Sequence, residues 1–584
     1  MQSGAEPVCE QTPLPKPSRH DPVSKAWRPN YSYALLAVLT LICLLPFSGR
    51  AFHVDDTLFL WAGQHIAQHP LDPYRFDVVW DLTRLPMSEV TKNPPLASYY
   101  AALVASAAGW SELALHLAFL IPALAVILGT YHLARQFTES PLIAAAATLL
   151  TPAFLVSSIT VMCDTMMLAF WVWAIIFWTK GLATSRPHYF VVSSLLISAS
   201  ALTKYFGVAL IPLLIVYSLV RRSRVRVWAA YLLIPVLVLV AYQFWTKGLY
   251  GQGLLLNVAS FSASQRSLAG QTSVLGNALV GLSFLGGCML PAIFLAPVLW
   301  PWKRVLVGAA LGLAAGVSVA LGWVHLGNSI QTDHIRLELH RHWMIVGAQL
   351  AVYIAAGLSV LALAVSDYLK RRDDASLLLG LWVCGTFIFA AFLNWTINAR
   401  SILPLIPAAG ILLARRLEIS NGRLRNASIL ALVACGCVSL WITQADSAWA
   451  NSARRAAAIL HERTQKEKGT IWFQGHWGFQ YYMESYGARP VDFANSVLSP
   501  GDMLIIPENN IETLKFPSEL IASSELLEID LHQHVSTMRW SMGAGFYSSF
   551  WGPLPFATGR VPTERYFLFR IGKPVGPGSW RYQQ

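Results

Sequence analysis

Three acidic residues are the first candidates for chemistry because each borders a long apolar run. Asp55 and Asp56 are adjacent and follow the first run, whereas Asp164 begins a later one. A carboxylate at membrane depth indicates a function by default, although one at a helix end can simply be solvated. We predict that Asp55, Asp56 and Asp164 are catalytic, with general-base chemistry as the main role. A divalent ion bound by these carboxylates is an open alternative.

Basic residues near the ends of other apolar runs are candidates for binding a phosphate. Lys92 precedes Asn93, Pro94 and Pro95, and the two prolines fix an extended approach and then allow a helix to start. We expect Lys92 at the boundary between water and lipid near the acidic pair; the alternative is an ordinary interfacial lysine. Cations beside a carboxylate centre suit a lipid-linked phosphate and a base. The predicted phosphate-binding residues are Lys92, Lys204, Tyr205, Arg266 and Arg400.

A further polar group lies between two apolar runs near residue 340. His340, Arg341 and His342 are consecutive, and the two histidines lack the i,i+4 spacing of a helical zinc pair. We interpret these three residues as an acceptor-binding group. The sequence contains no P-loop, no dinucleotide-binding glycine motif, no zinc-protease motif and no serine-hydrolase elbow.

The composition indicates that a membrane protein positions these residues. The chain has 584 residues, of which 55% are hydrophobic and 13% are charged. A soluble protein of this size needs far more charge to cover its surface. The net charge of +12 lies in short clusters between apolar runs, which is typical of membrane topology and does not indicate a nucleic-acid partner.

The predicted topology depends on the run 96–109, which is short and follows two prolines. If this run lies at the surface, nearly every cluster of Lys and Arg falls on one side of the membrane, as the positive-inside rule requires. If it crosses, the clusters at 221–226 and 370–372 fall outside. We therefore predict about 13 transmembrane helices. The predicted spans are 31–48, 113–133, 139–158, 163–181, 188–203, 206–220, 226–245, 275–300, 304–325, 344–366, 376–393, 401–416 and 427–443.

The same reading divides the chain into three regions. Residues 1–30 are polar and Pro-rich and are predicted to be a disordered basic cytoplasmic arm. Residues 31–443 are predicted to be the transmembrane domain, with an outer loop at 49–112. Residues 444–584 contain short β-like runs and a helical stretch near 449–466, which predicts a small extracytoplasmic α/β domain.

These motifs together resemble a known superfamily. The acidic pair, the Asn-Pro-Pro-Leu segment at 93–96 and Asp164 are followed by Thr-Lys-Tyr-Phe-Gly at 203–207 and Asn-Ala-Arg-Ser-Ile-Leu-Pro at 398–404. This set is similar to the C-type glycosyltransferase superfamily, which is abbreviated GT-C. Within it, the chain resembles glycosyltransferase family 39, the branch of protein O-mannosyltransferases and the lipid A aminoarabinose transferase. The resemblance covers about 30–225 and extends more thinly to about 445.

The resemblance implies a GT-C fold and a role for several residues. Asp55 corresponds to the catalytic base or substrate orienter, Asp56 to its acidic neighbour, and Asp164 to a second acidic position near the active cavity. Lys92 corresponds to a basic residue that holds the donor phosphate, although Asn93 intervenes in this sequence. The implied donor is a polyprenyl-phosphate-linked sugar, and no cofactor is required.

The predicted function is transfer of a sugar, with inversion, to an acceptor protein, lipid or glycan. The expected location is a bacterial-type inner (plasma) membrane, with the active site and C-terminal domain extracytoplasmic and with membrane lipids as partners. The alternative is a polytopic transporter of a lipid-linked or anionic substrate. A transporter predicts broken helices near the middle of the bilayer and an internal repeat, and the sequence shows neither clearly.

Overall fold

The computed structural model describes residues 31–221, 225–268, 274–321, 323–324, 326, 332–418 and 422–579. For residues 225–227, 266–268, 320, 332–343, 422–425 and 578 the description is limited to the backbone. The predicted arm at 1–30 lies outside the described residues.

The described chain is predominantly helical, and it confirms the prediction of a multi-pass membrane protein. By length and composition, 7 helices can cross a membrane, or up to 8 if a bent pair counts as one span. These are Glu112–Ala134, Cys163–Thr184, Trp228–Tyr250, Trp302–Val319, Met344–Arg371, Asp374–Leu393 and Asn426–Thr464, with the bent pair Pro141–Leu149 and Pro152–Ser158. Shorter apolar helices are Tyr31–Phe47, Leu96–Ala108, Pro187–Thr203, Tyr205–Val220 and Val274–Cys288. The remaining helical segments are Asp56–Gln68, Met87–Val90, Leu254–Leu268, Pro291–Phe294, Ala296–Leu299, Ala399–Ile402, Leu403–Leu405, Ile406–Leu417, Trp477–Ser485, Ser518–Leu520, Trp540–Met542, Ser549–Trp551 and Pro577–Ser579.

Each predicted span contains helix, but not every window is one continuous helix. The window 275–300 is divided among Val274–Cys288, Pro291–Phe294 and Ala296–Leu299. The window 139–158 is bent. Its two halves, Pro141–Leu149 and Pro152–Ser158, are bent by 62° relative to each other. Pro152 has no backbone N–H to continue the first helix, and the Thr151 side chain caps the second by accepting from the Phe154 N–H. The break is followed by a short non-helical segment, which contributes to the candidate site described below.

Two helices are much longer than a bilayer requires. Thr332–Arg371 has 40 residues and Gly422–Thr464 has 43, whereas about 20 residues are enough to cross the hydrocarbon core. Neither 332–346 nor 444–464 contains Gly or Pro to end a helix. The second of these helices therefore continues past residue 444 without interruption and carries the chain into its C-terminal region.

The C-terminal region contains the predicted β-strands. Its five-stranded sheet has a parallel part, in which Ile471–Phe473 pairs with its two neighbours, and an antiparallel part around Glu564–Ile571. In spatial order the strands are Arg489–Pro490, Ile471–Phe473, Met503–Pro507, Glu564–Ile571 and Ile521–Ile529. The prediction of a C-terminal region with strands is confirmed.

The C-terminal region packs closely on the segment that follows the first helix. A Cβ atom on Gly478 would lie 2.2 Å from the carbonyl oxygen of Phe52, so only glycine allows this approach. The Phe52 N–H donates to the Tyr482 hydroxyl at 2.8 Å. Further along the loop is a hairpin of Asp77–Trp80 and Thr83–Pro86. The loop that follows the first helix and the C-terminal region therefore lie together at one end of the helices.

A second contact region, residues 535–558, is here named the tail arch. Two short antiparallel ladders shape it: Val535–Ser536 with Ala557–Thr558, and Met538–Arg539 with Ala544–Gly545. Its backbone bonds to the segment before Arg400, because the Ala399 N–H donates to the Phe546 carbonyl at 2.9 Å. The tail arch therefore reaches a residue that the sequence predicts to be functional.

Candidate active site

Arg400 joins two of the three predicted acidic residues. It lies on the short helix Ala399–Ile402, which Asn398 caps by accepting from the Ser401 N–H. Its Nη2 lies 2.8 Å from Asp55 Oδ2, and its Nη1 lies 3.9 Å from Asp164 Oδ2. The structure thus brings Asp55, Asp164 and Arg400 together from three distant parts of the sequence.

Asp55 is the most accessible of the three carboxylates. It is the N-cap residue of helix Asp56–Gln68, and its side chain is 25% exposed, compared with 1% for Asp164. The preceding residue, Val54, is buried and has φ of 46°. A β-branched residue rarely adopts a positive φ, and such strain persists only where the surrounding structure imposes it. The turn that presents Asp55 is therefore tightly constrained.

Asp164 is buried and forms its closest ion pair with a lysine. It lies in the first turn of helix Cys163–Thr184, and its Oδ1 is 2.5 Å from the Nζ of Lys204. Lys204 follows the last residue of helix Pro187–Thr203. A buried carboxylate needs such a partner, because an unpaired charge is costly in a low-dielectric environment. The site therefore contains two carboxylates and two cations in alternation.

Asp56 faces the protein interior instead of the site. Its Oδ2 accepts from the His53 N–H and its Oδ1 accepts from the Val161 N–H, both at 2.8 Å. Burial raises the pKa of Asp56 to about 7, although nearby Arg50 and the two backbone N–H groups oppose this shift. The Asp56 carboxylate thus links the first loop to the segment after the broken helix, and we retain Asp55 and Asp164 as the candidates for chemistry.

Lys92 has other contacts than the three carboxylates. Its Nζ donates to the Glu89 carbonyl at 2.5 Å and lies 4.5 Å from the centroid of the Phe261 ring. Burial lowers the pKa of Lys92, which Asp81 and Glu89 partly offset. Among the described residues no ion pair joins Lys92 to Asp55, Asp56 or Asp164. The prediction that it holds the donor phosphate stays a prediction.

The neighbour of Lys92 is nearer to the site. The Asn93 Oδ1 accepts from the Cys163 Sγ at 3.6 Å, and Cys163 directly precedes Asp164. The Asn93 carbonyl also accepts from the Tyr74 hydroxyl at 3.0 Å. The Asn-Pro-Pro segment therefore borders the site through Asn93.

The remaining predicted residues are only partly described. Tyr205 follows Lys204 in the sequence, and its hydroxyl lies 3.1 Å from the Tyr242 hydroxyl. Arg266 lies on helix Leu254–Leu268, and the predicted acceptor-binding residues lie on helix Thr332–Arg371. The side chains of Arg266, His340, Arg341 and His342 lie outside the described residues, so their roles stay predictions.

Behind the site lies a buried ion pair that was not predicted from the sequence. Arg50 Nη2 lies 2.7 Å from Asp446 Oδ2, and both side chains are fully buried. The Arg50 Nη1 also donates to the Ile159 carbonyl at 3.1 Å, in the segment after the broken helix. An acidic residue within an otherwise apolar stretch is a signal of such a partner, and Asp446 satisfies that description at the end of the run 427–443.

Arg400 lies between Asp55 and Asp164, two of the three residues that the sequence predicts as possible ligands of a divalent ion. Among the described residues, no group of three or more His, Cys, Asp or Glu side chains is arranged to hold a metal ion. Asp56 has both of its oxygens bonded to backbone N–H groups. That a divalent ion is held by Asp55, Asp56 or Asp164 stays a prediction, as does a requirement for a divalent metal.

A family model matches part of the chain. Residues 92–245 match the family described as dolichyl-phosphate-mannose-protein mannosyltransferase. The matched segment includes Asp164 and Lys204 but neither Asp55 nor Arg400. No curated protein sequence matches the chain.

Several solved structures are similar at low sequence identity. ArnT from Cupriavidus metallidurans in the apo state is 14% identical, with 81% of this chain and 92% of that chain covered and a TM-score of 0.39. The same protein bound to undecaprenyl phosphate is also 14% identical, with 81% of this chain and 93% of that chain covered and a TM-score of 0.38. The archaeal oligosaccharyltransferase AglB from Archaeoglobus fulgidus, in complex with an inhibitory peptide and a dolichol-phosphate, is 15% identical. The match covers 82% of this chain and 70% of that chain, with a TM-score of 0.44.

Proposed function

We propose that this chain, which resembles the C-type glycosyltransferase superfamily and matches a mannosyltransferase family model over residues 92–245, transfers a sugar from a polyprenyl-phosphate carrier to an extracytoplasmic acceptor. The observation that carries the proposal is the position of Arg400 between Asp55 and Asp164. A base and a phosphate-binding cation must lie close together for this reaction, because the acceptor attacks the carbon that bears the leaving phosphate.

The proposed reaction is a direct displacement with inversion. Asp55 accepts the proton of an acceptor hydroxyl, and the hydroxyl oxygen forms a bond to the anomeric carbon. The bond between that carbon and the phosphate oxygen breaks, and its electron pair leaves with the polyprenyl phosphate. A well-placed base contributes about 10²–10⁴-fold to such a reaction. The greater exposure of Asp55 makes it the carboxylate that an acceptor can reach.

The cations of the site supply stabilisation for the departing phosphate. In the described site Arg400 and Lys204 balance the two carboxylates, and both side chains are partly exposed. When the donor binds, its phosphate competes with Asp55 and Asp164 for these two cations. Fixed positive charge at a developing anion is among the largest contributions to catalysis. Lys92 and Arg266 are proposed as further contacts to the donor.

The acceptor is proposed to approach from the end of the helices that the C-terminal region covers. A protein, a lipid or a glycan would each offer the hydroxyl that the reaction needs. His340, Arg341 and His342 are proposed to contact it. The positive-inside distribution of Lys and Arg supports an extracytoplasmic position for this end, in an inner (plasma) membrane of bacterial type.

A transporter is the second candidate, and one observation favours it. The sequence shows no clear broken helix, yet the structure has one at the bend between Leu149 and Pro152. The segment that follows this break contacts Arg50 through the Ile159 carbonyl and Asp56 through the Val161 N–H. These contacts support a role for the break in building the site, which the glycosyltransferase proposal requires.

The test is incubation of the purified protein with a membrane extract and a panel of radiolabelled polyprenyl-phosphate sugars. We expect label from at least one donor to appear in protein, lipid or polysaccharide, with the Asp55→Asn variant as the inactive control. The fraction that carries the label identifies the acceptor class. Movement of intact donor across a proteoliposome membrane, without any labelled product, would support the transporter instead.

A further inference from the structure

Tyr547 of the tail arch contacts both the candidate site and the ion pair behind it. It is buried, with 3% of its surface exposed. The centroid of its ring lies 5.6 Å from the Cζ of Arg400. Its hydroxyl donates to Asp446 Oδ2 at 2.9 Å and lies 3.5 Å from Arg50 Nη2. The two ends of this side chain therefore join two separate charged groups.

The hydroxyl end is held by a buried network. Asp446 also accepts from the Thr537 hydroxyl at 2.5 Å, and Thr537 belongs to the tail arch. Arg50 and Asp446 are both fully buried and paired at 2.7 Å. Polar groups that are buried and mutually bonded hold a single arrangement, because any alternative leaves one of them unpaired. The ring of Tyr547 is thus fixed in place.

The ring end contacts the guanidinium of Arg400, which also lies between Asp55 and Asp164. The Arg400 Nη1 donates to the Met162 Sδ at 3.1 Å, and its Nη2 pairs with Asp55. The buried Nε of Arg400 has no hydrogen-bond partner. An arginine over an aromatic face gains about 0.5–2 kcal/mol. The ring therefore favours the orientation in which Arg400 pairs with Asp55 and also lies within 3.9 Å of Asp164.

We infer that Tyr547 is a positioning residue for the transfer reaction, which holds Arg400 against Asp55, and that the tail arch is accordingly part of the reaction site. This inference rests on the proposed function. The Arg50–Asp446 pair holds the Tyr547 hydroxyl, and the ring of Tyr547 in turn contacts Arg400. Tyr547 does not touch the reacting atoms in this account. It acts through the guanidinium that faces them.

Two substitutions separate the two ends of Tyr547. Tyr547→Phe keeps the ring and removes the hydroxyl, so we expect kcat to fall about 3–10-fold. Tyr547→Leu removes the ring, so we expect kcat to fall about 10–100-fold, the scale of a small misplacement of a catalytic group. The KM for the donor should change less than kcat in both variants.

The readout that a merely structural role would not move is the pH profile. The acid limb of kcat/KM reports the base of the free enzyme. Displacement of the cation that lies 2.8 Å from Asp55 favours the protonated carboxyl, so the acid limb should move to higher pH in Tyr547→Leu. Tyr547→Phe should move it in the same direction by less.

Tyr566→Phe is the matched control, because Tyr566 is a buried tyrosine of the same C-terminal region and packs on Phe479 instead of the site. Its acid limb should match that of the wild-type chain.

A lowered rate with an unmoved acid limb in the Tyr547 variants would overturn the inference, as would wild-type kinetics. If Tyr547→Leu yields no folded protein, the shift in Tyr547→Phe decides. Absence of transfer by the wild-type chain would instead overturn the proposed function.

Discussion

The guanidinium of Arg400 lies 2.8 Å from the carboxylate of Asp55, although the two residues are far apart in the sequence of the membrane region. Asp55 follows the first apolar helix, and Arg400 precedes Ile406–Leu417. A pair this far apart in sequence forms only when the complete helical assembly is folded. Its partial exposure, and the second carboxylate within 3.9 Å of the same arginine, make it the centre of the proposed reaction.

Lys204 should be required for efficient transfer. Lys204→Met leaves the buried carboxylate of Asp164 without its closest cation and removes one positive charge from the proposed phosphate site. We expect kcat to fall by about 10²-fold or more, the scale seen when one stabilising donor is lost. Steady-state kinetics with the labelled donor measure the change.

Lys180→Met is the control for that substitution. Lys180 lies near the other end of helix Cys163–Thr184, is exposed, and contacts Tyr189. We expect its activity to remain within about 2-fold of the wild-type value, since changes at exposed positions away from special features are usually small. Equal activity of the two variants would contradict the proposed role of Lys204.

Gly478→Ala should separate the C-terminal region from the first loop. The added Cβ would lie 2.2 Å from the carbonyl oxygen of Phe52, so the two backbones must move apart near Asp55. Overpacking of this kind costs about 1–3 kcal/mol. Gly49→Ala in the same loop is the control, because a Cβ there meets nothing within 4 Å. Thermal unfolding should show a lower Tm for Gly478→Ala only, and equal Tm values would show that the contact is not tight.

Arg50→Met should destabilise the protein strongly. It leaves Asp446 buried and without its cation, and breaking one partner of a buried pair costs about 3–5 kcal/mol. Arg565→Met removes an exposed pair with Glu528, which is worth about 0–1 kcal/mol. Denaturation of the two variants side by side tests the difference. If the free energy of unfolding falls no more for Arg50→Met than for Arg565→Met, the result would contradict a stabilising role for the buried network.

His476 should make the C-terminal region sensitive to acid. Its ring stacks on Trp80 at 4.5 Å between centroids, and burial lowers the pKa of His476 from 6.5 to about 4. Between these values the unfolded chain binds a proton that the folded chain does not, so stability falls as the pH drops from 6.5 towards 4, by about 1.4 kcal/mol per pH unit at most. The Tm measured from pH 7.5 to 4.5 should fall less steeply for His476→Gln. Parallel curves would show that His476 does not contribute.

The architecture could be predicted from the sequence because apolar runs and turn residues are local signals. Short windows of residue types predict the strands near 470, 503 and 566 and the helices within the predicted spans. Among the described residues, 7 of these helices, or up to 8, are long and apolar enough to cross a membrane. The bend between Leu149 and Pro152 was missed because both halves are apolar, so hydropathy does not distinguish a broken helix from a straight one.

The site could be predicted only in part for a different reason. Residue type marked Asp55, Asp164 and Arg400 as unusual, but it could not show that one arginine bridges both carboxylates. It also did not distinguish Asp56, whose carboxylate is used by backbone N–H groups. The contact of Tyr547 with Arg400 depends on how the tail arch folds back, and no local pattern records this.

The central claim is that Asp55 removes the acceptor proton beside Arg400. The most direct measurement compares donor binding and single-turnover transfer for the wild-type chain and Asp55→Asn, using the radiolabelled polyprenyl-phosphate sugar that the wild-type chain accepts. The account predicts that Asp55→Asn binds the donor within about 10-fold of the wild-type affinity and transfers it at least about 10²-fold more slowly, the lower end of what a base contributes. Transfer by Asp55→Asn at the wild-type rate would contradict the account.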